Sequence, residues 1–261
     1  MHTIRNYIMA ESLEQAWELN QKGRNNIIIG GNLWLKMGRR NIINAIDLSS
    51  LGLDRIEEDE GGFRIGCMAT LRDIEMHEGL NKEFQNLFKE AVRHIVGVQF
   101  RNCATIGGSI FPKLGFSDVL TAFLACDTQV ILYKKGEVPL REFIYMPTDN
   151  DILTHIYVKK DGRKTAYESF RMTETDFPTL TCAMAMVDGR FETVLGARPK
   201  HAEVVIDEEL ADSLSKEDVA SYAKRVIDKL QYGSNIRGSK QYRKQLSKVL
   251  ISRCISRLTE E

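Results

Sequence analysis

Apolar and polar residues along this chain follow two periods, and the switches between them mark its elements. The first pattern is helical. Leu13, Ala16 and Trp17 form a stripe behind a Ser12/Gln15 capping box, and Gly23 is placed as the stop. Residues 26–29 are a β-branched run ending at Gly30-Gly31, which reads as a buried strand entering a glycine bend, and residues 42–46 read as a second strand. Residues 55–57 and 63–67 flank the Gly61-Gly62 turn and predict a hairpin. The strongest helical period is that of Leu80, Phe84, Leu87, Phe88, Ala91, Val92 and Ile95, which predicts one helix ending near Gly97. Ser117 is placed to cap an apolar helix running through Cys126, and strands follow at 129–133, 152–158 and 164–170, the last two joined by a Lys160-Asp161-Gly162 turn.

The later part of the chain has a different character. Residues 180–187 and 191–195 flank Asp188-Gly189, a hairpin signal. A helix starting over 215–218 carries Val219, Ala223, Val226, Ile227 and Leu230 on one side, and a last helix from about Ser239 carries Tyr242, Leu246, Val249 and Leu250. Strands followed by terminal helices predict an α+β module. The expected division is residues 1–165, in two subdomains of about 1–50 and 51–165, followed by a C-terminal domain over 166–261. No proline-rich linker marks the border, so the two parts are expected to pack tightly.

Composition narrows the picture by exclusion. The chain has 261 residues, with 36 Lys+Arg against 36 Asp+Glu, which leaves no electrostatic footprint for nucleic acid or an anionic membrane. No apolar run approaches the roughly 18 residues of a membrane span. The first five residues have no apolar signal core, so a cytoplasmic setting is expected. Five scattered cysteines and five scattered histidines suggest neither a disulfide framework nor a protein-bound metal.

Candidate chemistry rests on two glycine bends. Gly30-Gly31-Asn32 and Gly107-Gly108-Ser109 each let the backbone turn sharply and aim N–H groups into one concavity, where peptide dipoles can hold phosphate oxygens without a lysine. Either pair alone also fits an ordinary turn, and neither is a GxGxxG fingerprint or a Walker loop. Used together, the two bends could wrap a diphosphate from both sides, with Gly108 supplying any positive φ that its turn requires. On the residues alone, Asp118 reads as a first-turn acidic residue favoured by the helix dipole, Arg171 as a solvated strand-end charge, Trp34 as core, Cys103 as a small packed residue and His94 as exposed.

The run Arg101-Asn102-Cys103-Ala104-Thr105-Ile106-Gly107-Gly108-Ser109-Ile110, with Ser117-Asp118 after it, resembles the second flavin loop of the FAD-binding medium subunits of molybdenum hydroxylases, the xanthine dehydrogenase and carbon monoxide dehydrogenase type. Ile28-Ile29-Gly30-Gly31-Asn32-Leu33 resembles that family's first loop, and Ile236 to Arg243, followed by Leu246 and Leu250, resembles its closing signature. The resemblance spans the chain in order. It implies an α+β fold: a two-part FAD-binding domain of the p-cresol methylhydroxylase type, then a small C-terminal domain of antiparallel sheet and helices.

It further implies that Ile28, Ile29, Gly30, Gly31, Asn32, Leu33 and Trp34 embrace the FAD diphosphate. Thr105, Gly107, Gly108, Ser109 and Ser117 would complete the cradle, and Asp118 would accept from ribityl hydroxyls. Leu153 would pack on the isoalloxazine, Ile95 would pass over the flavin face, and Arg171, the one catalytic assignment, would favour the anionic reduced ring. Departures are Ser109 where relatives carry Asn, Pro112-Lys113 where small polar residues are usual, and a bulky Leu33-Trp34. The first loop has no histidine, so FAD is expected to be non-covalent.

The function implied is an FAD subunit that takes electrons from a two-cluster iron–sulfur subunit and a molybdopterin subunit and passes them to NAD, in a complex of the xanthine dehydrogenase kind. The alternatives are the same role in an aromatic or carbon monoxide hydroxylase, and a stand-alone FAD or nucleotide binding module.

Overall fold

Asparagines hold the first sheet in register. In the computed structural model, which describes residues 3–207 and 215–259 (the side chain of Lys36 excepted), β1 (Thr3–Met9), α1 (Leu13–Gln21), β2 (Asn26–Ile29) and β3 (Asn41–Asp47) form a parallel three-stranded sheet in the order β1-β3-β2, with one helix packed on it. The Asn6 amide donates to Asn44 at 3.0 Å, Asn44 donates to Asn26 at 2.9 Å, and Asn26 donates to the Leu19 carbonyl at 2.6 Å. This ladder ties all three strands to α1. β1 is an edge strand exposed along nearly its whole length, so its sequence carries no buried period and escapes the pattern that finds β2 and β3. At the start of α1, Ser12 accepts from the Gln15 N–H as expected, while the Gln15 side chain reaches the N–H of Glu11 and not that of Ser12.

The next region departs from its sequence pattern. β4 (Ile56–Glu58) and β5 (Gly62–Gly66) make the expected hairpin. The expected single helix over 80–95 is instead two short ones, α3 (Glu78–Glu83) and α4 (Leu87–Val92), set between α2 (Leu71–Met76) and α5 (Val98–Arg101). Between α3 and α4 the chain turns through Gln85 and Asn86, at φ 43° and 62°. The buried amide of Asn81 sustains the break by donating to the carbonyls of Ile74, Glu75 and His77 and accepting from the Lys89 N–H. The apolar spacing is real, but successive helix faces produce it.

α6 (Ile106–Ile110) and α7 (Asp118–Leu124) lead into β6 (Thr128–Leu132), β7 (Gly136–Pro139), α8 (Leu140–Phe143) and β8 (Leu153–Lys159). With β4 and β5 these strands complete an antiparallel five-stranded sheet, β4-β5-β8-β6-β7. The turn after β8 is a crossover and not a hairpin, because β9 (Lys164–Phe170) belongs to the next sheet. Buried Arg163 pins that crossover by binding Asp161 and the Ala125 carbonyl, the latter at 2.6 Å.

β9, β10 (Leu180–Val187), β11 (Arg190–Gly196) and β12 (Glu203–Ile206) form an antiparallel sheet in the order β12-β11-β10-β9, against which α10 (Lys240–Thr259) packs together with α9 (Lys216–Lys229). The Asp188-Gly189 turn has both residues at positive φ, 49° and 74°, as a tight hairpin requires. All seven residues of α7 are buried, and Thr121 on this helix bonds Thr181 on β10 at 2.9 Å. The main apolar core therefore runs from Ala10 to Ala202 and crosses the junction, while a second core lies between the last sheet and α9–α10. Among the described residues, no helix is long and apolar enough to cross a membrane.

The closing signature explains itself in this fold. Arg243 is fully buried, and its guanidinium donates to the carbonyls of Thr179 (2.9 Å), Gly233 (3.1 Å) and Gly238 and to Asn235 Oδ1 (2.6 Å). Arg243→Met should strand these acceptors and lower stability by roughly 3 kcal/mol or more. Urea unfolding read by circular dichroism checks this, and an unchanged midpoint would refute it.

Candidate functional site

The two glycine bends meet. A Cβ on Gly31 would lie 1.6 Å from the Cys103 carbonyl oxygen, and one on Gly30 would lie 2.3 Å from Thr105 Oγ1. The end of β2 thus rests directly on the backbone that enters α6. None of Gly30, Gly31, Gly107 and Gly108 has a positive φ, so the turn at Gly108 calls for none. Gly107 and Gly108 lie within α6, whose N-cap Thr105 accepts from the Gly108 N–H at 3.2 Å. The residue that does take the left-handed conformation is Asn32, at φ 55°. What the glycines provide is close backbone approach: Gly107 presses on Cys67, whose carbonyl oxygen would stand 2.8 Å from its Cβ, while Gly108 is exposed and has only Thr105 nearby.

The convergence opens a cleft of about 310 Å³. Of the residues expected at a flavin site, Leu33, Trp34, Ile95, Ser109, Ser117, Asp118 and Arg171 line it together. Gly30, Gly31, Asn32, Thr105, Gly107 and Gly108 form the bends beside it. Ile28 and Ile29 are on β2 and do not reach the lining, and Leu153 is buried in the main core away from it. Trp34 is not core: it is 37% exposed, stacks on Phe177 at 5.3 Å, and meets Phe100 and Phe116 edge-on. The pattern along the chain missed Phe100, Phe116, Phe177 and Val96, because the first sits in a helix of only four residues and the others in segments with no period. Val96 is β-branched yet has φ 50°, a strained conformation located at the cleft wall. Cys103 and His94 also differ from expectation, the first being exposed and the second half-buried.

Charge at the cleft is buried and paired. Asp118 Oδ1 receives Arg171 Nη2 at 2.6 Å and the Tyr167 hydroxyl at 2.5 Å, and both members of the ion pair are below a tenth exposed. Arg171 also donates to Ser169 Oγ at 2.6 Å and to the Asp176 carbonyl at 3.1 Å, so it is no solvated strand end. Burial pushes the Asp118 carboxyl up, against the opposing pull of Arg171 and Tyr167. Ser117 Oγ caps α7 and donates to the Ser109 carbonyl at 3.3 Å, and Ser109 Oγ donates to the Thr105 carbonyl at 3.0 Å.

A second buried pair holds the wall. Arg101 binds Glu75 through Nε (2.7 Å) and Nη2 (3.1 Å), and its Nη1 donates to the Ile95 carbonyl at 3.2 Å. The segment carrying Ile95, Phe100 and Cys103 is thereby fixed to α2. Burial alone would raise the Glu75 carboxyl, but hydrogen bonds from Arg101 and Arg72 outweigh it and hold the group below its ordinary range.

The residues present fit a flavin dinucleotide. Asn32 Oδ1 is a buried acceptor with no hydrogen-bond partner, the one such side-chain atom found among the described residues, and it lies in the first bend. A ribose or ribityl hydroxyl has the donor that this oxygen lacks. Backbone that a Cβ would obstruct, beside an aromatic-lined cleft, suits a diphosphate followed by a flat ring.

Two outcomes follow. Gly31→Ala must displace the Cys103 backbone and should cost roughly 3 kcal/mol, whereas Gly23→Ala, with nothing within 4 Å of its Cβ, should be neutral; paired thermal melts decide. Because Glu75 is depressed in the folded state, its contribution is present at neutral pH and lost as pH falls below the ordinary carboxylate value of 4.5. Glu75→Gln should lower stability at pH 7 by about 3 kcal/mol and flatten the acid limb of a stability–pH curve.

Residues 2–158, more than half of the chain, match the family model described as the FAD binding domain in molybdopterin dehydrogenase. The glyceraldehyde dehydrogenase medium chain of Sulfolobus acidocaldarius is 26% identical over 266 residues, covering 94% of each chain. The 6-hydroxypseudooxynicotine dehydrogenase complex subunit alpha of Paenarthrobacter nicotinovorans is 24% identical, covering 96% of this chain and 93% of that one. A chain of carbon monoxide dehydrogenase from Hydrogenophaga pseudoflava superposes with a TM-score of 0.85 at 23% identity over 96% of both, a likeness of fold. The chain therefore belongs to the FAD-binding domain family of molybdopterin dehydrogenases, and it is an FAD-binding oxidoreductase subunit of the molybdenum hydroxylase class.

Proposed function

We propose that this subunit takes electrons from the two iron–sulfur clusters of one partner, supplied by a molybdopterin partner, and delivers them to NAD, as in a complex of the xanthine dehydrogenase kind. The observation that supports the site is the meeting of the two glycine bends around an unpartnered Asn32 amide oxygen. FAD held there supplies two-electron redox chemistry, so that electrons arriving singly can leave as a pair.

The chain's own residues would bind, orient and exclude water. Gly30 and Gly31 on one side and Thr105, Gly108 and Ser109 on the other bring backbone close to the diphosphate. Asn32 Oδ1 accepts a sugar hydroxyl. Asp118 Oδ1 already carries two hydrogen bonds, so a ribityl hydroxyl would use Oδ2. Arg171, fixed by Asp118, Ser169 and Asp176, places a positive charge where it favours the electron-rich ring. Leu33, Trp34, Ile95 and Phe100 keep water from that ring.

A second reading assigns the same role to an aldehyde, aromatic or carbon monoxide hydroxylase with another acceptor. The names of the relatives from Sulfolobus and Paenarthrobacter favour it, and the residues of this chain do not choose the substrate.

Titration of the purified chain with FAD should reach one flavin per chain, and anaerobic NADH should then bleach the bound flavin. A protein that stays colourless in excess FAD would sink the flavin site. A flavin that binds but resists NADH would remove NAD as acceptor and leave the second reading.

A further inference from the structure

Three side chains from one face of a single strand converge at the cleft carboxylate. Tyr167, Ser169 and Arg171 alternate along β9 and just past its end, so they point the same way. Arg171 Nη2 reaches Asp118 Oδ1 at 2.6 Å, the Tyr167 hydroxyl donates to that same oxygen at 2.5 Å, and Ser169 Oγ accepts from Arg171 Nη1 at 2.6 Å. Tyr167 is buried in the main core and does not line the cleft. We propose that Tyr167 is a positioning residue of the flavin site, turning the Asp118 carboxylate so that Oδ2 meets the ribityl chain and Arg171 presents its charge to the ring. The proposal rests on FAD occupying the cleft and is independent of the electron acceptor. It adds the hidden group that sets the charge and direction of the other two.

The hydrogen bonds at this carboxylate are divided in a way that leaves specific groups for a ligand. Of the five N–H donors of a guanidinium, Arg171 gives one from Nε to the Asp176 carbonyl, one from Nη1 to Ser169 and one from Nη2 to Asp118. One N–H on each terminal nitrogen is left, on a residue that lines the cleft. Both protein donors to Asp118 fall on Oδ1, which leaves Oδ2 as the acceptor for a hydroxyl. An aspartate serving only as a first-turn helix acid needs neither donor. A phenylalanine would fill the space of Tyr167 without desolvating a hydroxyl, so the oxygen matters for the carboxylate it bonds.

The ring is also held from behind. β9 is the edge strand of its sheet, and its free edge is fastened on either side of Tyr167. The Thr165 N–H donates to Gln85 Oε1 at 2.6 Å, and Thr165 Oγ1 donates to the Phe84 carbonyl at 2.6 Å. The Tyr167 carbonyl accepts from Arg257 Nη1 at 3.3 Å, and Arg257 is itself paired with Glu168 at 2.6 Å. The hydroxyl therefore stands at a fixed point, and the carboxylate must turn to meet it.

Charge completes the argument. Burial pushes the Tyr167 phenol well above its ordinary range, so it remains a donor at neutral pH. For Asp118, burial favours the neutral acid, while Arg171 and Tyr167 favour the carboxylate. Without the hydroxyl the balance moves toward the neutral acid. Arg171 then loses its counter-charge, and its positive charge favours the reduced, electron-rich ring over the oxidised one more strongly.

The test compares wild-type protein with Tyr167→Phe, Asp118→Asn and the double variant. The Kd for FAD and the midpoint potential of the bound flavin are measured, and thermal melts of the FAD-free chains report the fold. Expected for Tyr167→Phe is FAD binding weakened by about tenfold. Affinity for reduced relative to oxidised flavin should rise by about tenfold, read as a more positive potential. Because Tyr167 acts through the carboxylate, the same substitution should change either value by less than about twofold in the Asp118→Asn background. A Tyr167→Phe protein that folds and leaves both values unchanged overturns the assignment, and so does an effect undiminished in the Asp118→Asn background. If Tyr167→Phe does not fold, Tyr167→3-fluorotyrosine takes its place, a stronger donor of nearly the same size. Its expected effect is a less positive potential, and an unchanged potential overturns the proposal. Wild-type protein that takes up no FAD overturns the flavin site itself and this assignment with it, whereas the other failures leave that site standing.

Discussion

One backbone contact governs the site. The end of β2 can lie against the Cys103 carbonyl only because position 31 has no side chain, and every feature of the cleft inherits its position from that approach. Asn32 is turned left-handed immediately after it, Leu33 and Trp34 follow into the opening, and Thr105 is drawn under Gly30. The parallel first sheet and the antiparallel second sheet also share the main core and are tied by Asn20 to the Asn150 carbonyl, and the Gly31 contact joins them at the cleft. Van der Waals exclusion, more than hydrogen bonding, sets the site, and glycine here provides room without unusual torsion angles.

Around that contact the protein uses buried charge as scaffolding. Glu75–Arg101 fixes the segment that carries Cys103, and Asp118–Arg171 joins the start of α7 to the end of β9. Arg198 and Arg243 do comparable work with carbonyl oxygens as their main partners. Replacing a whole buried ion pair by apolar groups can be nearly neutral, whereas removing one partner is costly, and such groups tolerate few alternative geometries, which suits loops that must keep a shape without regular secondary structure.

How far the sequence could be read follows from the same division. Elements with a buried period were legible: β2, β3, the β10–β11 hairpin, and the caps of α7 and α9 at Ser117 and Ser215. β1 was not, because its register comes from Asn6 and Asn44 and its face is exposed. The pair α3–α4 was misread as one helix because an amphipathic face does not reveal whether its backbone is continuous, and the Asn81 amide that bridges the break acts across the chain. At the site, ordered glycine motifs located both bends. The aromatic residues of the cleft were invisible, since Phe100, Phe116 and Phe177 come together only in three dimensions. Arg171 read as solvated because nothing local announces that Asp118, far away along the chain, will receive it.

The dryness of α7 has a mechanical consequence. A helix buried on every face, bonded to the last sheet through Thr121 and to the cleft through Asp118, behaves as a common axle that leaves no slip plane between the amino-terminal and carboxy-terminal halves. Bending across this helix would break its buried contacts with both halves, so the spacing of the cleft walls is tied to the packing of one short helix.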